Sequence, residues 1–265
     1  MNRDATDLAG VRHLAYDTLG STNAEALALA RAGERAPFWV SAQSQSAGRG
    51  RRGRTWVSEL GNLYASLLLF DPASAERVAQ LSFVAALATR DAIAGVAPAL
   101  LPHLSLKWPN DVLLAGKKVA GILIEGEVVR GEPITAVVGV GVNCASHPPE
   151  AAFPATDLAV HGGTASPQDL LHKLADAVRA RLAQWKRGDG FAAVRRDWLA
   201  AAHKVGETIR VTDGIGERTG RFAGLDETGR LLLDLSNGAR QKIAAGDVFP
   251  LLPRPGLGAP VLRGR

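Results

Sequence analysis

The sequence predicts an α+β architecture: a mixed, largely antiparallel sheet with helices on one side, followed by a small β-barrel-like domain. Three observations carry this. Apolar residues recur at helical spacing through Val78, Leu81, Val84, Leu87 and Ala88. Between residues 103 and 143 the text turns to β character in LSLKW, VLL, KKVAGILIEGEVV and ITAVVGVGVN. Connections that short pair neighbouring strands antiparallel. Past about Lys204 the pattern changes again, to short strands punctuated by turns.

In chain order, Asp17 to Asn23 (DTLGSTN) leads into AEALALARAG, where Thr22 and Glu25 have capping-box spacing and Gly33 supplies a stop. This predicts a helix from about Asn23 to Ala32. Phe38 to Gln43 reads as a strand, and the stretch to Thr55 is too rich in Gly, Ser and Arg to pack as either element. Asn62 to Phe70 is a strand and Ala73 to Gly95 a long helix. Ala115-Gly116 makes a tight connection inside the β region. Pro167 to Arg187 and Phe191 to His203 read as helices, with Pro167 suited to a first turn. In the last part, ETIRVTD, RTGRFAGLDETG, RLLLDLSNG and RQKIAAGDVFPLL are separated by turns at Asp213-Gly214, Thr228-Gly229 and Asn237-Gly238. The expected division is 1–203, 204–253 and a flexible Pro/Gly-rich tail, 254–265.

At 265 residues and 46% hydrophobic the chain can fill a large core. A single cysteine, Cys144, excludes an internal disulfide. The start MNRDATDLAG lacks a secretory pattern, and no apolar run approaches the ~20 residues of a membrane helix. A reducing cytoplasm is the expected compartment, with no membrane partner. The net charge of +5 is concentrated, because Arg49, Arg51, Arg52 and Arg54 fall in one loop.

That loop, GRGRRGR, combines glycines that turn backbone N–H groups toward a ligand with guanidinium forks for phosphate or carboxylate. A solvated basic linker or an RNA-contacting segment has the same composition. Trp56 offers a face for a base to stack on, or a core anchor. In Lys107-Trp108-Pro109-Asn110-Asp111 the proline interrupts pairing and leaves Asn110 and Asp111 near a hairpin mouth, where Asp111 can hold Mg²⁺. With a two-residue turn at Ala115-Gly116, Lys118 pairs with Leu113 and shares a face with Asp111; a three-residue turn would separate them. A surface ion pair is the plainer reading of the two. Ser21 and Thr22 are explained by helix capping, with hydroxyl and amide groups of Ser21, Thr22 and Asn23 also able to bond a polar head group. Gly139 and Gly141 share one strand face, allowing close approach by backbone or ligand. Cys144 has no histidine partner nearby and reads as a buried structural thiol.

The order STN, GRGRRGR-x-W, KWPND, KKVAGIL, GVGVN resembles the biotin protein ligases over most of the chain. The resemblance implies a class II synthetase-like catalytic fold with a C-terminal SH3-like barrel. It implies that Ser21, Thr22, Asn23, Gln45, Arg49, Gly50, Arg51, Lys118 and Gly121 bind biotin. On the ATP side it implies Arg49, Arg51, Trp56, Asn110, Asp111, Lys118 and Asn143, with Asp111 also on Mg²⁺. Arg49, Lys118 and Asp111 are the implied catalytic residues. The activity implied is ATP-driven formation of biotinyl-5'-AMP, then transfer of biotin to a lysine on a biotin carboxyl carrier domain of acetyl-CoA carboxylase or a similar carboxylase. The catalytic motifs begin near residue 17, so no winged helix-turn-helix and no DNA partner are expected; dimerisation is left open. A lipoate or octanoate transferase is the nearest rival, and octanoyl transfer would need a cysteine nucleophile.

Overall fold

The computed structural model describes residues 2–127, 133–151 and 153–250. The tail expected at 254–265 lies outside the described residues. Eight strands form the main sheet: β1 (Asn2–Leu8), β2 (Val11–Leu19), β3 (Phe38–Gln45), β4 (Leu63–Phe70), β5 (Leu104–Lys107), β6 (Asp111–Leu114), β7 (Lys117–Glu127) and β8 (Thr135–Val142). Their spatial order is β1-β2-β3-β4-β8-β7-β6-β5. Only β2 and β3 run parallel, joined by the crossover helix α1 (Thr22–Arg31). The β1–β2 hairpin is absent from the sequence reading. Its first strand, NRDATDL, carries too few apolar residues to show a periodicity.

Side-chain alternation along β4 and β8 divides the interior in two. Leu63, Ala65, Leu67, Val138, Val140 and Val142 point into the core under α3 (Leu81–Val96), α4 (Pro167–Trp185) and α5 (Phe191–Ala200). Leu68 and Val137 point the other way, against Ala26, Leu27 and Ala30 of α1. The long helices thus share one face, while α1 covers only part of the opposite face and leaves the rest for a site. The helix expected over 73–95 is broken into α2 (Ala75–Val78) and α3. At the break Gln80 is buried and accepts a hydrogen bond from Trp185 Nε1 at 2.8 Å. Ser166 caps α4 by accepting from Asp169 N at 3.1 Å, and Pro167 takes the first turn.

A second, five-stranded sheet is built from β9 (Thr208–Thr212), β10 (Glu217–Leu225), β11 (Leu231–Asp234), β12 (Arg240–Ile243) and β13 (Asp247–Pro250), in the order β12-β11-β10-β9-β13. The segment beginning RQKIAAGDVFP holds two strands, β12 and β13, on opposite edges of this sheet. The second sheet docks on the first through Trp108, which is buried and donates from Nε1 to Gly229 O at 3.1 Å. A side chain at Gly229 would collide with Phe83, its Cβ lying 2.7 Å from the ring.

Candidate active site

Every residue singled out by the resemblance lines one cleft of about 380 Å³. That lies within the ~300–1,000 Å³ span of small-molecule sites. The cleft occupies the face of the main sheet that α1 leaves open. Its floor is made of missing side chains: Gly121 of β7 pairs directly with Gly141 of β8, and Trp56 lies on both. A Cβ at Gly141 would sit 2.6 Å from the indole, and one at Gly121 would sit 2.9 Å from it. Gly139, two residues along, makes room for Asn23 instead, whose Oδ1 would be 2.2 Å from a Cβ there. The period-two glycines therefore serve two different neighbours.

The start of α1 forms one end of the cleft. Ser21 is the N-cap residue, yet its side chain makes no capping bond. Thr22 is already helical, and both its N–H and its hydroxyl are given to Gln45 Oε1, at 2.8 and 3.2 Å. The capping box anticipated from Thr22 and Glu25 does not form, because Gln45 of β3 supplies the acceptor from across the sheet and Glu25 turns to accept from the Tyr16 hydroxyl at 3.1 Å. Ser66 Oγ, fully buried, lies 2.7 Å from Thr22 Oγ1 and 2.6 Å from Asn23 Oδ1. Asn23 Nδ2 donates to Glu125 Oε2 at 2.8 Å, and Arg49 reaches the same oxygen at 2.9 Å. Ser66 and Glu125 escaped sequence reading: each lies in the middle of a strand, far from its partner in sequence.

The arginine-glycine loop is a compact turn. Gly50 N donates to Arg54 O at 2.7 Å and Trp56 N to Gly48 O at 2.9 Å. Gly48 is obligatory for this closure, since a Cβ there would fall 2.3 Å from Trp56 O. Arg51 turns inward, donating to Asn110 Oδ1 at 3.1 Å and to Gly246 O, just before β13, at 3.4 Å. Burial pulls its pKa below the ordinary guanidinium value, with the carboxylates of Asp247 and Asp111 opposing that shift.

The charged end of the cleft is the β5–β6–β7 corner. Ala115 and Gly116 have φ of 50° and 76°, a two-residue turn, and Lys118 pairs with Leu113. The register then shifts between Val112 and Leu113, bringing Lys118 Nζ to 2.6 Å from Asp111 Oδ1. Lys107, directly opposite Asp111 on β5, places its Nζ 2.7 Å from Oδ2. Lys107, the first residue of KWPND, has no role marked by the sequence alone; strand pairing gives it one. It stands over the Phe153 ring, 4.6 Å from the centroid. Burial would raise the Asp111 pKa, but the two ammonium groups outweigh it and hold the carboxyl well below its usual range. Asn143 is buried and holds the outer wall, donating from Nδ2 to Thr156 O at 3.0 Å.

Comparison with known proteins agrees with this geometry. Residues 21–143 match the family model described as Biotin/lipoate A/B protein ligase family, and residues 204–249 match Biotin protein ligase C terminal domain. The Biotin--[acetyl-CoA-carboxylase] ligase of Paracoccus denitrificans is 46% identical over 236 residues, which cover 86% of this chain and 96% of that one. The chain belongs to the biotin protein ligase family. A Mycobacterium tuberculosis protein described as Biotin--[acetyl-CoA-carboxylase] ligase is 34% identical, over 88% of this chain and 86% of its own. Among solved structures, the biotin protein ligase of Aquifex aeolicus in complex with biotin and ATP superposes with a TM-score of 0.75 at 28% identity, covering 89% of this chain and 97% of that one.

Two expectations drawn from the biotin protein ligases meet the geometry differently. Asp111 does not fit as an Mg²⁺ ligand: a cation would have to displace Lys107 and Lys118 from its two oxygens. The work of this carboxylate is to fix two ammonium groups. Trp56, expected near adenine, lies against Gly121, a residue expected on biotin, and against Gly141, with Lys118 Nζ 5.2 Å from its ring. Its Nε1 is buried without a hydrogen-bond partner among the described residues, a donor left for a ligand.

Proposed function

We propose that this chain is an ATP-dependent biotin–[acetyl-CoA-carboxylase] ligase. It joins biotin to ATP as biotinyl-5'-AMP with release of pyrophosphate, then passes the biotinyl group to a lysine of a biotin carboxyl carrier domain. One observation carries the reading: a Lys107–Asp111–Lys118 cluster, with Lys107 and Asp111 buried and Lys118 partly exposed, stands at one end of a glycine-floored cleft whose far end is the hydrogen-bonding start of α1.

The first step brings two anions together. A carboxylate oxygen of biotin attacks the α-phosphorus, the P–O bond to pyrophosphate breaks, and no enzyme nucleophile is needed. Two lysines and one aspartate leave the corner with a single net positive charge, fixed in place before substrate arrives. Lys118 is the more accessible of the two ammonium groups and is the one that reaches the biotin carboxylate and α-phosphate. Lys107 keeps Asp111 occupied from behind. Trp56 and the glycine floor hold the apolar body of biotin, and Ser21, Thr22, Asn23 and Gln45 its polar ring. Arg49 and Arg51 close over the phosphate. In the second step the target amine attacks the acyl carbon and AMP leaves.

Exchange of labelled pyrophosphate into ATP tests this directly. Biotin supports exchange and lipoate does not, and Lys118→Ala slows adenylate formation at least ~100-fold, roughly 2.7 kcal/mol of transition-state stabilisation. Exchange at a near-normal rate in that variant would remove Lys118 from the mechanism. An octanoyl transferase is disfavoured by Cys144, which is buried and whose thiol burial pushes up to about 12. One unpaired cysteine and the absence of any described helix long and apolar enough to cross a membrane suit an enzyme of the reducing cytoplasm.

A further inference from the structure

We propose that Asp247 is a positioning residue for this reaction: from the second sheet it latches the arginine-glycine loop shut through Arg52 and Arg54, retaining the activated intermediate until a lysine docks. The inference rests on the ligase reading above and gives a task to two arginines that the reading leaves idle.

Each oxygen of Asp247 takes one guanidinium. Arg52 Nη1 lies 3.3 Å from Oδ2 and Arg54 Nη2 lies 3.0 Å from Oδ1. Arg54 also donates from Nε to Arg51 O at 3.2 Å, so the pair is tied to the backbone of the residue that points into the cleft. Arg51 in turn reaches Gly246 O, next to Asp247. Three loop arginines therefore converge on two consecutive residues, Gly246 and Asp247, where the chain enters β13 of the second sheet. Asp247 is firmly based, since it opens β13 and pairs with Thr212 of β9. Across the cleft the same loop is held by Arg49 on Glu125. The loop is thus pinned at both ends, by the main sheet at Arg49 and by the second sheet at Arg52 and Arg54.

The arginines are between a third and a half exposed, so each pair is weak alone. Weak bonds suit a latch that must open once per turnover to admit ATP and later a lysine. Biotinyl-5'-AMP is a mixed anhydride, lost if water enters or if the intermediate escapes, and a closed loop prevents both. Asp247 lines the mouth of the cleft, but with both carboxylate oxygens on loop arginines its task is latching: it acts on how long the intermediate stays, not on the attack that forms it.

Asp247→Asn and Asp247→Glu in the full chain test this. Two readouts are compared: hydrogen exchange of residues 48–55 in ligand-free protein, and escape of preformed biotinyl-5'-AMP, followed by its loss from the enzyme after a chase and by labelling of lysines on a bystander protein. Expected in Asp247→Asn are loop exchange and escape each about 10-fold faster, as for the loss of two exposed ion pairs, with pyrophosphate exchange at saturating substrate reduced less than about 3-fold. Asp247→Glu keeps the charge and restores both readouts to near wild type. Loop exchange and escape unchanged in Asp247→Asn would overturn the latch, as would Asp247→Glu behaving like Asp247→Asn, which would mark a packing role. Were the wild type to make no biotinyl adenylate, the ligase reading would fall, while hydrogen exchange would still decide whether Asp247 holds the loop.

Discussion

Asp111→Asn removes the negative charge between two ammonium groups while keeping the shape of the side chain. Lys107 and Asp111 are each 8% exposed and Lys118 is 24% exposed. In water such pairs would be worth ~0–1 kcal/mol, but removing one partner of a buried pair costs ~3–5 kcal/mol, because the remaining charge is stranded. Lys107 is the stranded group here, and Lys118 recovers part of its hydration through its exposed fraction, so a loss near ~3 kcal/mol is expected. At ~2–4 °C per kcal/mol for a chain of this size the melting temperature falls by roughly 6–12 °C. The assay is urea and thermal denaturation of wild type, Asp111→Asn, and Asp111→Asn combined with Lys107→Met. The double variant removes the stranded charge and is more stable than the single one. The pH dependence has a fixed sign. The Asp111 pKa is depressed on folding, so its stabilisation is complete above the ordinary value of 3.8 and is lost as pH falls below that value through the lower folded-state one. Asp111→Asn lacks this component of acid sensitivity. A single variant within ~1 kcal/mol of wild type, or a double variant no more stable than the single, would refute the view that the charge between the lysines matters.

Gly141→Ala drives a methyl group into the indole of Trp56 and lifts it from the floor. Biotin affinity, read by calorimetry, is expected to weaken ~10–200-fold, as for a pocket mismatched by one carbon; wild-type affinity would show that Trp56 does not shape the pocket. Native Cys144 should alkylate at pH 8 at least ~100-fold more slowly than a free cysteine, and Cys144→Ser should still support biotin-dependent pyrophosphate exchange. Loss of exchange in a folded Cys144→Ser protein would reopen the thiol-based transferase.

The sequence by itself determined what short segments can encode. KWPND and KKVAGIL place Asp111 and Lys118 close enough for the turn at Ala115-Gly116 to fix their register, and the structure forms that turn. Glycines at 139 and 141 announced a surface that something approaches closely, because only a missing side chain permits it. The long helices and the strands from 104 to 142 were legible from apolar periodicity, whereas the β1–β2 hairpin was not, since the first strand, NRDATDL, has too few apolar residues to show a period. The GRGRRGR loop was legible as an anion cradle with Arg49 and Arg51 expected on the ligand, but without the protein partners of its arginines and without any role for Arg52 or Arg54. Tertiary structure decided those partners: Arg49 goes to Glu125, Arg51 to Asn110, and Arg52 and Arg54 to Asp247. It also decided that Gln45 and not a local hydroxyl caps α1, and that Lys107 shares Asp111 with Lys118. Most of these partners are far apart in sequence and meet only through strand pairing and the docking of the second sheet. Composition and spacing record what a residue can bond; which bond it makes is set by what the fold brings within about 3 Å of it.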